Sequence, residues 1–560
     1  MKTLLQKLSL SSAILCAALI GVQQQAHSQA ATLIQDINTG AANSLPTLFT
    51  YCGGLNCIFF VADNGSTGAE LWKYDITLGT ASLVKDINPG ASGSGITTIT
   101  PNMTGNGILF NANNGTNGNE LWKSDGTAAG TSMVLDINTG AGNSTPNNFY
   151  AFGGSFIFSA DNGTNGKEPW LTNGTPGGTA LLKDINPGVN ASDPNNFTGV
   201  AGKVLFRAND GTNGSELWST DMTSGGTVLL KDVNTGSVSS VPSNFALVNN
   251  TLFFSATTAA SGAELWKSDA TTGGTMLVKD INSGVGNSIN ISPGVKAFFT
   301  AYNNNLYFQA TDGSTGYELW KSDGTTGGTV LVKDINSGAN ASTPAGIIAT
   351  TTNLFFVAND GVAGCELWTS DGTSGGTTLV KDINPGSASS TTSLSTIVSV
   401  FGGPIYFAAN DGTSGYEFWR SMGNTASTVM MADIFPGASS SAPSNMLVSS
   451  NNVYFSATDG VTGIEPWKFD PTAAGIKVVE KDQFIFSMYP NPNSGQLTVI
   501  TESEKVEIEI ISSIGKLIYS QRSDVSKINA IDLKQFNSGI YFVKVKSADK
   551  EEVKKLILTN

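Results

Sequence analysis

The chain has 560 residues, only 13% of them charged, with 64 glycines and a formal net charge of −14. That length exceeds one ordinary hydrophobic core, and the sparse charge disfavours long solvated helices, so many short strands joined by tight turns are expected. The body is acidic: residues 29–482 hold 35 acidic against 18 basic side chains, and the whole chain has three arginines, Arg207, Arg420 and Arg522. Nucleic-acid binding rests on neutralising phosphate, so this composition excludes it as a partner.

The N-terminus reads as a secretory signal. Lys2 and Lys7 precede an apolar stretch from Leu8 to Val22, and Ala26-His27-Ser28 supplies small residues for cleavage, giving a signal peptide over residues 1–28. No other apolar run approaches the ~18 residues that a membrane-spanning helix requires, so no transmembrane segment is expected. Cleavage would remove His27, the one histidine, and Cys16. The mature chain would then have no imidazole, which excludes a Ser-His-Asp triad and a His-ligated zinc. Cys52 and Cys57 flank Gly53-Gly54 in a hairpin-like stretch, which makes them a disulfide candidate in an oxidising compartment, with two free thiols as the alternative. Cys365 has no evident partner and is expected to pack.

Residues 31–482 are repetitive. All nine tryptophans fall in one motif, at Trp72, Trp122, Trp170, Trp218, Trp266, Trp320, Trp368, Trp419 and Trp467, spaced 48 to 54 residues apart and each two residues after a Glu. A second motif, Asp-Ile-Asn or a variant, recurs at Asp36, Asp86, Asp136, Asp184, Asp232, Asp280, Asp334, Asp382 and Asp433. Two interleaved series of nine establish a repeat array. One copy shows its plan: strand a (TTLVKDI, from Thr377), a loop opened by Asn384-Pro385-Gly386, strand b (LSTIVSVF, from Leu394), a Gly402-Gly403 turn, strand c (PIYFAA, from Pro404), an Asn410-Asp411-Gly412 turn, and strand d (EFWRS, from Glu417). Four short antiparallel strands per module predict an all-β protein, a β-propeller of about nine four-stranded repeats. Strand c is apolar on both faces, as expected between neighbouring sheets, and the tryptophan is read as a packing residue between them. Two segments resemble a spare strand a that would close a ring: Ala31 to Ile37 and Gly475 to Asp482.

The run Glu318-Leu319-Trp320-Lys321-Ser322-Asp323-Gly324-Thr325-Thr326-Gly327-Gly328-Thr329 resembles the ELWxxDGTxxGT repeat family of large bacterial surface proteins, sometimes called hyalin-like. The resemblance implies extracellular display and carries no established activity. The copies at Ser421-Met422-Gly423 and Phe469-Asp470-Pro471 depart from the pattern.

Over residues 483–560 tryptophan disappears, lysine and glutamate increase, and the balance becomes 9 acidic to 10 basic. Alternation such as Val506-Glu507-Ile508-Glu509-Ile510 suits a small immunoglobulin-like β-sandwich. The segments containing Pro490-Asn491-Pro492 and Gly495, Gly515-Lys516, and Gly539-Ile540-Tyr541 resemble, in order, the C-terminal sorting domain of type IX secretion. The resemblance implies export through the periplasm, recognition by an outer-membrane translocon as partner, and release or display at the cell surface.

Strand parity gathers the a–b loops, the c–d loops and the start of strand d at one end of each repeat. In one copy this groups Asp360, Glu366 and Asp382, oxygen donors that make calcium the one cofactor to consider. The competing reading is turn chemistry, in which Asp and Asn bond their own backbone, and the copy with Thr257-Thr258 in place of the usual pair speaks for it. With no catalytic residues expected, the favoured function is a non-enzymatic surface protein for adhesion, binding an extracellular glycan or protein. The alternative is a secreted propeller-fold lyase or glycosidase, whose residues would break the repeat; Arg207 and Arg420 are the basic singletons, and scaffold roles are expected for both.

Overall fold

A computed structural model describes residues 31–290, 299–391, 397–399, 403–471, 486–489, 495–501, 505–512, 516–523, 528–547 and 550–559. The chain divides into two units, Met1–Pro471 and Thr472–Asn560.

The first unit is nine four-stranded antiparallel sheets in a propeller-like arrangement, none of which closes on itself. Within each sheet the order is b-c-d-a, as in the seventh: Ala345–Ala349, Leu354–Asn359, Cys365–Ser370 and Thr378–Lys381. Strand c is buried along nearly its whole length, because sheets pack on both its faces. In the seventh sheet Leu354, Phe356 and Ala358 face one neighbour while Phe355 and Val357 face the other. The core is thus a series of layers between consecutive sheets. A typical layer combines the Leu of strand d, the Ile of the Asp-Ile-Asn motif and the tryptophan of the next sheet, as with Leu367, Ile383 and Trp419. All nine tryptophans are buried in this way, as their periodicity predicts.

The array returns to its start. The ninth sheet takes strands b, c and d from Ser444–Ser449, Asn452–Thr458 and Ile464–Phe469, and its fourth strand is Ala31–Leu33. Register pairs Ala31 with Phe469 and Leu33 with Trp467. Of the two expected closing segments the N-terminal one therefore pairs; Gly475 to Asp482 lies outside the described residues. The junction has the same apolar layer as the others, with Ile37 and Tyr454 packed against Phe60 and Trp72 of the first sheet.

The second unit is a β-sandwich of a three-stranded sheet (Ser487–Tyr489, Gln496–Ile500, Ile528–Asp532) and a four-stranded one (Leu517–Ser523, Val506–Ser512, Gly539–Ser547, Lys550–Leu558). Alternation puts Leu497, Val499 and Ile531 from one sheet against Ile508, Ile510, Val543 and Val545 from the other.

Candidate functional site

The recurring glutamate sits at the start of strand d, with its side chain buried among apolar layers. All nine, from Glu70 to Glu465, are fully buried. A carboxylate is held in such a place only if its lone pairs are filled. Glu120 accepts from the backbone N–H of Ile137 at 2.7 Å and of Ser144 at 2.9 Å, and from the Ser144 hydroxyl at 2.6 Å. Glu168, Glu216, Glu264 and Glu318 repeat this arrangement with Ser192, Ser240, Ser288 and Ser342. Each glutamate thereby ties strand d to the loop that leads into the next sheet. At the ring junction Glu465 takes the same bonds from Ile37 and Ser44, across more than 400 residues of sequence. Burial pushes Glu70, Glu168 and Glu264 up to about 7, opposed by the amides and the serine hydroxyl that favour the charged form. The others shift the same way for the same cause.

A second tie runs through lysine. Lys333, beside the Asp-Ile-Asn motif, donates to the carbonyl of Thr377 in the next sheet at 2.7 Å and lies 5.8 Å from the centre of the Trp368 ring. Lys85, Lys279 and Lys381 do the same on Trp122, Trp320 and Trp419. Cation–π contact thus adds to packing at the sheet junctions.

The sequence-predicted cation ligands are engaged in these loops. Asp360 caps its own turn, accepting from the amides of Val362 and Ala363. Glu366 accepts from Ile383, Asn384 and Ser390. Asp382 accepts from Gly386 at 3.2 Å through Oδ2, while its Oδ1 is buried without a partner. Glu366 and the loop of Asp382 are brought together; Asp360 stays in the c–d turn, where Gly361 packs on Asn336 of the preceding repeat. Among the described residues no three His, Cys, Asp or Glu side chains are grouped so as to hold a metal ion.

Of the two readings open for Cys52 and Cys57, disulfide or free thiols, the structure has free thiols. Cys52 and Cys57 are free and lie directly opposite in register. Directly opposed side chains stand about 4.5–5.5 Å apart at Cβ, wider than the mean of about 3.8 Å in a disulfide. The Cys52 thiol donates instead to the carbonyl of Gly105 in the second repeat at 2.8 Å. Burial pushes the Cys57 thiol up to about 12 and Cys365 up to about 11, and Cys365 packs against the layer of the seventh and eighth sheets. Arg207 lies in strand c, its guanidinium 3.4 Å from the Ser243 hydroxyl.

One feature at the opposite end of the array escaped the sequence reading: a cavity of about 410 Å3 between the second and third sheets. Its rim includes the six-residue b–c connection 102–107, longer than the two-residue turns of most other copies.

Of the tail's motif residues, Pro490, Asn491, Pro492 and Gly515 lie outside the described residues. Gly495 adopts φ +107, a conformation that disfavours a side chain, and its carbonyl accepts from Leu533. Gly539 opens a strand paired along its whole length with Lys550–Leu558, the Lys516 carbonyl accepts from the Ser512 amide, and the Tyr541 hydroxyl donates to the carbonyl of Asn537 at 2.8 Å. Residues 487–559 match the family described as the secretion system C-terminal sorting domain. The tail is a type IX sorting domain. The protein is therefore secreted or displayed at the outer surface, and the sorting domain implies interaction with the type IX machinery. Among the described residues no helix is long and apolar enough to cross a membrane.

No curated protein matches the sequence. Among solved structures, a puromycin hydrolase is similar at 13% identity and a TM-score of 0.34, over 68% of this chain and 60% of that one. The chain thus spans about 60% of that hydrolase's length. Sqt1 of Saccharomyces cerevisiae gives 9% and 0.37, over 77% and 98%. PorZ, an essential surface component of the type IX secretion system of Porphyromonas gingivalis, gives 11% and 0.19, over 93% and 100%. Likeness at this level does not bear on activity.

Proposed function

We propose that the protein is a non-enzymatic, surface-delivered repeat scaffold that mediates adhesion by binding an extracellular glycan or protein. The observation that carries this reading is the engagement of the recurring carboxylates. Each buried glutamate that begins a strand d accepts bonds from the loop of its own junction. A general acid or base needs an oxygen within reach of substrate, and these oxygens face loop amides instead. The sorting tail supplies delivery to the surface, and the resemblance of the repeats to ELWxxDGTxxGT surface proteins agrees with it.

The test is to incubate the secreted protein with a panel of polysaccharides, measuring both retention on the immobilised polymer and release of reducing or unsaturated ends. Retention without release is the expected result. Steady release of ends in proportion to protein would overturn the non-enzymatic reading in favour of a lyase or glycosidase.

A further inference from the structure

The cavity between the second and third sheets has an identifiable cause. At five junctions the strand c residue just before the Phe that pairs with tryptophan reaches toward a glycine in the d–a turn of the next repeat. Where that turn keeps glycine, the partner is mostly aromatic: Phe59 faces Gly126, Phe253 faces Gly324, Tyr307 faces Gly372 and Phe355 faces Gly423. Where the partner is aliphatic, the turn has gained a side chain. Ile157 shares its layer with Met222, and Leu205 shares its layer with Ala270. Leu109 and Gly174 break this compensation, since an aliphatic side chain here faces a glycine. A Cβ added at Gly174 would meet only Leu109 Cδ2, at 3.8 Å. The missing ring leaves the space that the connection 102–107 then overhangs.

The lining gives the chemistry of an occupant. Ile108, Leu109 and Phe156 form an almost fully buried apolar floor. Asn102, Thr104 and Asn106 contribute from the overhanging connection. The two charged groups present are engaged: Lys123 donates to the Gly174 carbonyl at 3.3 Å, and Asp125 Oδ1 accepts from Thr127. An apolar floor with amide and hydroxyl groups at its edge suits a ligand with one hydrocarbon face and several neutral hydroxyls. The volume lies toward the lower end of the range for small-molecule sites, about 300–1,000 Å3.

We infer that this cavity is a binding site for a neutral saccharide unit, one terminal sugar or a short segment of a chain, made by the coincidence of Leu109 and Gly174. The inference rests on the proposed binding role and assigns it a place and a ligand class.

The decisive variant is Leu109→Phe, which supplies the ring that Phe59, Phe253, Tyr307 and Phe355 place opposite a glycine and so fills the space without departing from the repeat. Asn106→Ala, in the exposed connection, removes an amide from the rim and provides a second variant. Secreted wild-type protein and both variants are titrated with neutral and acidic mono- to tetrasaccharides by calorimetry, with thermal melting as the check on folding. The expected result is binding of a neutral saccharide by the wild type, weakened at least about tenfold in both variants, or about 1.4 kcal/mol, with the Leu109→Phe midpoint unchanged or higher. Equal saccharide binding by wild type and both variants would overturn the cavity assignment while leaving the binding role intact. Absence of any saccharide binding by the wild type would overturn the assignment and leave a protein ligand for the proposed role. Preference for acidic sugars would overturn the neutral class.

Discussion

The repeat body and the tail are both antiparallel β-structure, yet they place their charges in opposite ways. The tail follows simple alternation: Ile508 and Ile510 are buried, and Glu507 and Glu509 pair on the solvent side with Arg522 and Lys546 at 3.4 and 3.1 Å. The body instead buries a glutamate in every repeat and surrounds it with donors from the loop that leads into the next sheet. A sandwich with two sheets needs only an apolar interior. A ring of sheets also needs each junction fixed in angle and register, and a buried, directional polar tie supplies that where apolar packing alone would slide.

This contrast can be broken most forcefully at the ring junction. Deleting residues 31–37 removes the fourth strand of the ninth sheet together with Ile37, so the melting midpoint of the body should fall further than for any single substitution below, measured by calorimetry. Trp320→Ala should cost about 3–5 kcal/mol in denaturant unfolding, as expected for a large buried aromatic, and it also removes the surface on which Lys279 rests. Glu366→Ala should cost about 3 kcal/mol, since it strands the amides of Ile383, Asn384 and Ser390 without partners. The matching change in the tail, Glu507→Ala, should cost less than about 0.5 kcal/mol, because its partner Arg522 is mostly exposed.

Much of this was legible in the sequence, because a ninefold repeat averages out local ambiguity. The four strands, the buried tryptophans and the burial of strand c follow from residue type and spacing alone. The glutamate was visible as a recurring residue two positions before each tryptophan. Its serine partner, 24 residues on, was equally periodic and was overlooked. The lysine beside the Asp-Ile-Asn motif recurs as well, but spacing does not show that it reaches forward to the next sheet's threonine carbonyl and tryptophan. For the cysteine pair the sequence leaves disulfide and free thiols both open, because it gives the hairpin but not the separation across it. The cavity was hidden because it depends on two positions in different repeats, Leu109 and Gly174, each ordinary by itself.

Acidity provides a milder way to sharpen the comparison. Glu70, Glu168 and Glu264 have folded values of about 7, above the ordinary carboxylate value of about 4.3. The stability linked to them is therefore fully present below the ordinary value and is lost as pH rises through about 7, and the other buried glutamates shift in the same direction. The turn aspartates, such as Asp323 and Asp371, are held low by bonds from Thr325 and Thr373, and their contribution is lost as pH falls through their folded values. The midpoint of the body should therefore peak near pH 4–5, between the two sets of ordinary and shifted values, and decline toward pH 8. The smallest effect is expected from calcium. Since Asp360, Glu366 and Asp382 are occupied by their own loops, excess Ca²⁺ and EDTA should give the same midpoint; a rise reversed by EDTA would recruit the unpartnered Oδ1 atoms of the Asp-Ile-Asn aspartates as ligands.

The central claim is that the repeats form one ring joined by an N-terminal strand, and a distance measured across the junction tests it most directly. Spin labels placed by Thr32→Cys and Lys468→Cys, in a background with the natural cysteines replaced, sit on directly opposed residues of paired strands. The ring predicts a single short distance, consistent with backbones about 5 Å apart, in every molecule of the secreted protein. A long or broad distribution would mean that the first strand does not complete the ninth sheet and that the array is open.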